Sequence, residues 1–132
     1  VLSSCMSAMN DALINKGFHG MVGALSAAGV KYVISHLWDA NDLSTAIMMD
    51  SFYFYYGIKH LSPPEAMARA QDYLRKISVG ELKKKGWFAY FKNSLHNKEM
   101  IKKIEEFENC SERMRPFKNE IYWGGFVCYR CN

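Results

Sequence analysis

With 132 residues the chain is the size of one ordinary domain, and 49% of it is apolar, enough to close a core. No stretch approaches the roughly 18 uninterrupted apolar residues of a membrane span, and nothing reads as a signal peptide, so no membrane partner is expected. The four cysteines, Cys5, Cys110, Cys128 and Cys131, are too few and irregular for the disulfide framework of a small secreted domain, which favours a reducing, cytoplasmic setting.

The formal charge of +4 is unevenly spread: Lys83, Lys84, Lys85, Lys102, Lys103, Arg113, Arg115 and Lys118 all fall in the second half. Such a cluster suits an acidic partner or RNA, and it equally suits a solvated helical face. A nucleic-acid-binding domain would show steep salt dependence, but the basic residues are not interleaved with aromatic ones in the way single-strand binders show.

In chain order, residues 1–4 (VLSS) read as a short buried strand already under way, so the chain is expected to be a fragment that starts inside an element. A loop to about Gly17 precedes a helix over 18–28, where Phe18, Met21, Val22 and Leu25 recur at helical spacing and Gly29 supplies the stop. Residues 31–36 (KYVISH) are β-branched and aromatic, hence a second strand. Strand, helix and strand in this order predict a βαβ unit with parallel strands and a right-handed crossover.

Asp42 is a candidate cap for a helix running to about Gly57, with Ile47, Met48, Phe52 and Tyr55 facing the sheet. Ser62-Pro63-Pro64-Glu65 has capping-box spacing and opens a helix to about Ile77, with Ala66, Ala70, Tyr73 and Leu74 on one side. One or two charged amphipathic segments follow between 78 and 116, where Met100, Ile101, Ile104 and Phe107 form a stripe. Residues 120–129 (EIYWGGFVCY) read as a closing strand.

In open parallel sheets catalytic groups gather where strands end. Cys5 sits at such a place, and backbone N–H groups and a histidine can lower a thiol's pKa there; a half-buried strand-end cysteine is the plainer account. Geometry alone would pair Cys5 with His36, at the end of the second strand. Cys128 and Cys131 have the spacing of half a zinc site, but no second pair is evident, so neither a metal nor another cofactor is expected.

Several pieces carry a resemblance: VLSSC, GFHGMVGALSAAGVKYVISHLWDANDLSTAIMMDSFY, LSPPEAMARAQDYLR and IYWGGFV, in that order. Together they resemble the C-terminal half of a CHAT domain, the bacterial caspase and separase relative often attached to tetratricopeptide repeats. Family members typically show Leu-Ser-Ala-Cys, a helix with small residues, Ser-Leu-Trp, an Asp-containing turn and a terminal Tyr-Trp-Ala-Ala-Phe. The matching residues here are Leu2 to Cys5, Gly20 to Gly29, His36 to Trp38, Asn41-Asp42 and Tyr122 to Phe126.

The resemblance implies an α/β caspase-like sandwich with a largely parallel sheet flanked by helices, of which residues 1–132 form only the C-terminal part, with a charged helical insertion at about 78–116. It implies a cysteine endopeptidase acting through a Cys-His dyad, with Cys5 attacking the scissile carbonyl. The family's histidine lies in a His-Gly pair before the cysteine strand, hence upstream of Val1, and none of His19, His36, His60 and His96 matches it. His36, Leu37, Trp38, Asp39 and Asp42 become candidates for substrate recognition. Asp39 or Asp42 would select a basic side chain, while Asp42 as a cap and Trp38 as core residue are the structural alternatives.

The implied partners are a protein substrate and the rest of the same polypeptide, or a complementary chain, carrying the catalytic histidine. A regulatory protein or an RNA-guided complex, as in CRISPR-associated defence, would control the enzyme. The alternative is a catalytically inactive caspase-like scaffold or interaction module.

Overall fold

A computed structural model describes residues 12–38, 41–94 and 98–131 of the chain, with the side chains of 12–19 left aside. The strand expected over 1–4, Cys5, Asp39 and His96 lie outside the described residues.

Helix α1, Ala12–Ala27, begins six residues ahead of the expected start. Gly17 costs a helix interior only about 1 kcal/mol relative to alanine, too little to stop a segment otherwise free of breakers. Gly29, with φ +85°, ends it as expected. The N–H of Val30 reaches the carbonyl of Leu25 and that of Gly29 the carbonyl of Ser26, the paired bonds of a left-handed helix stop.

Strand β1, Tyr32–His36, follows, with Val33, Ile34, Ser35 and His36 buried. Helix α2, Asp42–Tyr53, is capped by Asn41 and not by Asp42. The Asn41 Oδ1 accepts from the N–H groups of Leu43 (3.0 Å) and Ser44 (3.2 Å). Both residue types cap well, and the one with extended backbone takes the role; Asp42 becomes the first helical residue, its carboxylate exposed at the positive helix end. Ile47, Met48 and Phe52 are buried and Tyr55 half-buried, as the helical spacing indicates. The helix widens into a π-helical turn, Phe54–Ile58.

Helix α3, Pro63–Lys76, opens with the expected capping box: the N–H and Oγ of Ser62 both reach Oε2 of Glu65. Ala66, Met67, Ala70 and Leu74 form its buried side against α2. Three helices, where one or two were anticipated, occupy the next stretch: α4 (Val79–Lys84), α5 (Trp87–Ser94) and α6 (Lys98–Glu108). Ser78 and Glu81 make a second capping box, and Gly86, with φ +70°, breaks α4 from α5. Val79, Leu82, Phe88, Phe91 and Ile104 join the cluster that holds Ile47, Met48 and Leu74, so this charged stretch shares one core with the rest. The eight clustered basic residues are all exposed.

The closing segment is not one strand over 120–129. A 3-10 turn, Glu120–Tyr122, capped by Asn119, leads through Gly124-Gly125 into strand β2, Phe126–Arg130. The glycines interrupt the β-pattern, which resumes at Phe126.

The expected largely parallel caspase-like sandwich is contradicted. Among the described residues the sheet has two strands, and β2 runs antiparallel to β1, from His36↔Phe126 to Tyr32↔Arg130. Helices dominate the remainder. The sequence pattern marks both strands, but direction depends on where the chain re-enters: it returns at the His36 end of β1 and leaves at the Tyr32 end, which only an antiparallel ladder accommodates.

Candidate functional site

The end of β1 carries three of the five candidate recognition residues, and the fold brings the distant closing segment onto them. At His36 the ladder pairs it with Phe126, and the two rings meet edge to face with centroids 3.9 Å apart. One residue on, the Leu37 N–H donates to the carbonyl of Gly125 (2.8 Å). The Trp38 indole Nε1–H donates to the carbonyl of Ile121, also at 2.8 Å.

Gly125 is a glycine for a local reason. A Cβ built there would stand 2.8 Å from Cε2 of Trp38 and 3.0 Å from Cδ2, so the indole lies flat on bare backbone. Where the CHAT pattern has an Ala-Ala pair, this chain has Gly124-Gly125, and the second glycine is the space Trp38 occupies.

Helix α3 secures the same turn. Nε2 of Gln71 donates to the carbonyls of Trp123 (3.0 Å) and Phe126 (2.9 Å), one on each side of the glycine pair. Gln71 and Ile121 carry no functional signal in the sequence, and Gly125 carries one only in its departure from Ala-Ala.

Trp38 is half-buried, which makes it at once a wall of this surface and a packing residue. Asp42 stands exposed at the start of α2. Asp39 and Cys5 lie outside the described residues, so no distance links them to His36. His60 is exposed beyond the π-helical turn, with φ 56°, and the His19 side chain is not described. Half-buried Cys128 lies opposite Ile34 in the ladder and burial pushes its thiol up; Cys131 is buried just past β2.

Burial also pushes the His36 imidazole below its ordinary value of 6.5. A depressed histidine pKa means that the unfolded chain takes up the proton first as pH falls. Stability is therefore fully present above 6.5 and declines as pH drops through 6.5 toward the folded value. Urea midpoints of the wild type should fall between about pH 7.5 and 5, and His36→Gln should flatten that slope relative to the wild type. An unchanged slope would show that His36 is not the group responsible.

No helix among the described residues is long and apolar enough to cross a membrane.

Compared with known proteins, the chain matches the family model of the CHAT domain over residues 1–130, a family associated with caspase-like peptidases. No curated protein and no solved structure matches it.

Proposed function

Because the chain belongs to the CHAT domain family, we propose that it is part of a regulated cysteine endopeptidase with Cys5 as nucleophile. The observation that supports this reading is the family match over residues 1–130, which takes in Leu2-Ser3-Ser4-Cys5 at one end and Tyr122 to Phe126 at the other. The contact of Leu37 and Trp38 with Ile121 and Gly125 supports it further, since two resembling pieces more than 80 residues apart meet on one surface.

In the proposed reaction the Cys5 thiolate attacks the scissile carbonyl carbon, while a histidine protonates the leaving amine. The resulting thioester is hydrolysed by water, with the same histidine as base, which regenerates the thiol. The Cys5 backbone N–H is one donor to the oxyanion. The histidine comes from polypeptide outside these 132 residues, the position that the resemblance implies. His36 is the weaker candidate because its ring is spent against Phe126 and only 9% exposed.

Leu37 and Trp38 then line the substrate groove, backed by the buried His36 ring, with Asp39 or Asp42 available to a basic side chain before the cut. The exposed lysines and arginines of the second half offer a surface to a regulatory protein or RNA-guided partner.

The reading is tested by treating the full-length protein with a peptide bearing an acyloxymethyl ketone after arginine and mapping the adduct by mass spectrometry. Modification should fall on Cys5, with Cys110, Cys128 and Cys131 unlabelled. Labelling confined to those three, or none at all, would favour an inactive scaffold.

A further inference from the structure

We propose that Gln71 is a positioning residue for substrate recognition, which fixes Trp38 as a wall of the groove by clamping the Trp123–Phe126 turn. This rests on the peptidase reading above. Both amide protons of Gln71 are committed to the turn, at 3.0 and 2.9 Å, so the carbonyls on either side of the glycine pair have one fixed anchor on the core helix α3.

The turn and Ile121 just ahead of it make three contacts with the end of β1 and the residues that follow it. The Gly125 carbonyl holds the Leu37 N–H, the Ile121 carbonyl just upstream holds the Trp38 indole N–H, and the bare Gly125 backbone seats the indole face. The segment carrying them is not itself anchored by the ladder, which begins at Phe126. Ile121 itself is 56% exposed, while its neighbours Tyr122 and Trp123 pack against the core, Tyr122 on Phe117. Tyr122 on Phe117 holds the upstream side of the segment, and Gln71 holds the glycine turn on which the indole face rests, without touching substrate.

Losing the amide removes two hydrogen bonds from the turn and lets the indole drift, which weakens substrate binding and leaves the cysteine's chemistry intact. Gln71→Glu is the sharper change, because it aims a carboxylate at two carbonyl oxygens. Gly125→Ala perturbs the same contact from the other side, since the added methyl displaces the indole while Gln71 stays.

The experiment uses full-length protein labelled with 5-fluorotryptophan, the Trp38 signal being assigned by its loss in Trp38→Phe. A fluorogenic peptide with arginine before the cut reports KM and kcat, and iodoacetamide reports the reactivity of Cys5. Gln71→Leu and Gly125→Ala should each shift the Trp38 fluorine signal and raise KM by about 10-fold, with kcat and Cys5 alkylation within about twofold of wild type. Should Gln71→Leu fail to fold, the near-isosteric Gln71→Glu, which removes the amide donors, carries the same prediction.

A Trp38 signal unchanged in the Gln71 variant would overturn the clamp, whatever Gly125→Ala shows, and a shifted signal with unchanged KM would overturn its part in recognition. A wild type that neither cleaves nor is alkylated at Cys5 would sink the peptidase reading itself, and with it the recognition role, before any variant is compared.

Discussion

Cys5→Ala is expected to abolish cleavage of the natural substrate in the full-length protein, with a loss of at least about 10^3-fold in kcat. The change deletes one sulfur atom, and a nucleophile acts as a unit with its base, so no partial function survives through the thioester route. The thermal midpoint should stay within a few degrees of wild type. His36→Ala is the matching control: if the base comes from outside these residues, it should lower stability more than turnover, because its ring packs on Phe126. Retained cleavage in Cys5→Ala would remove that residue from the mechanism, and a turnover loss in His36→Ala equal to that of Cys5→Ala would promote the Cys5–His36 dyad.

Phe117→Ala should cost about 3–5 kcal/mol, the range for deleting a fully buried aromatic ring. Phe117 has no exposed surface, and its ring meets Phe107 of α6 at 5.9 Å and Tyr122 of the closing segment at 5.3 Å, both edge to face. It is therefore the joint between the charged helical stretch and the turn that carries Ile121. Truncating it opens a cavity between α6 and the closing segment. Urea unfolding of the full-length protein reads the cost. Phe54→Ala, at a ring 42% exposed, should stay within about 1 kcal/mol of wild type. A cost below about 1 kcal/mol for Phe117→Ala would mean that the two segments do not share a core.

Much of the local structure was legible because its causes are local. Ser62 and Glu65 stand at the spacing of a capping box, and they make one. Gly29 follows the last turn of α1 and takes the left-handed conformation that ends it. Ile47, Met48 and Phe52 recur at helical spacing and face inward. The structure departs from the sequence pattern where two residues compete for one role or where a lone glycine is only a weak breaker. Asn41 took the cap in place of its neighbour Asp42, and Gly17 did not delay the start of α1.

The candidate surface was half legible. His36, Leu37 and Trp38 were marked by their position at the end of β1 and by the resemblance, and the structure does gather them against the terminal motif. Gln71 was passed over because a glutamine within a helix has no periodic signature; its role exists only because α3 runs beside the glycine turn.

Residue spacing and side-chain chemistry were enough to mark the helix stops and boxes and the inward stripes, since each depends on neighbours a few positions away, while the family came from a resemblance of several motifs in order, which the match over residues 1–130 bears out. The direction of β2 against β1, the seat of Trp38 on Gly125 and the clamp from Gln71 depend on which distant segments meet. Those pairings follow from how helices of given length and bulk pack into one core, a property of the assembled chain that no local pattern encodes.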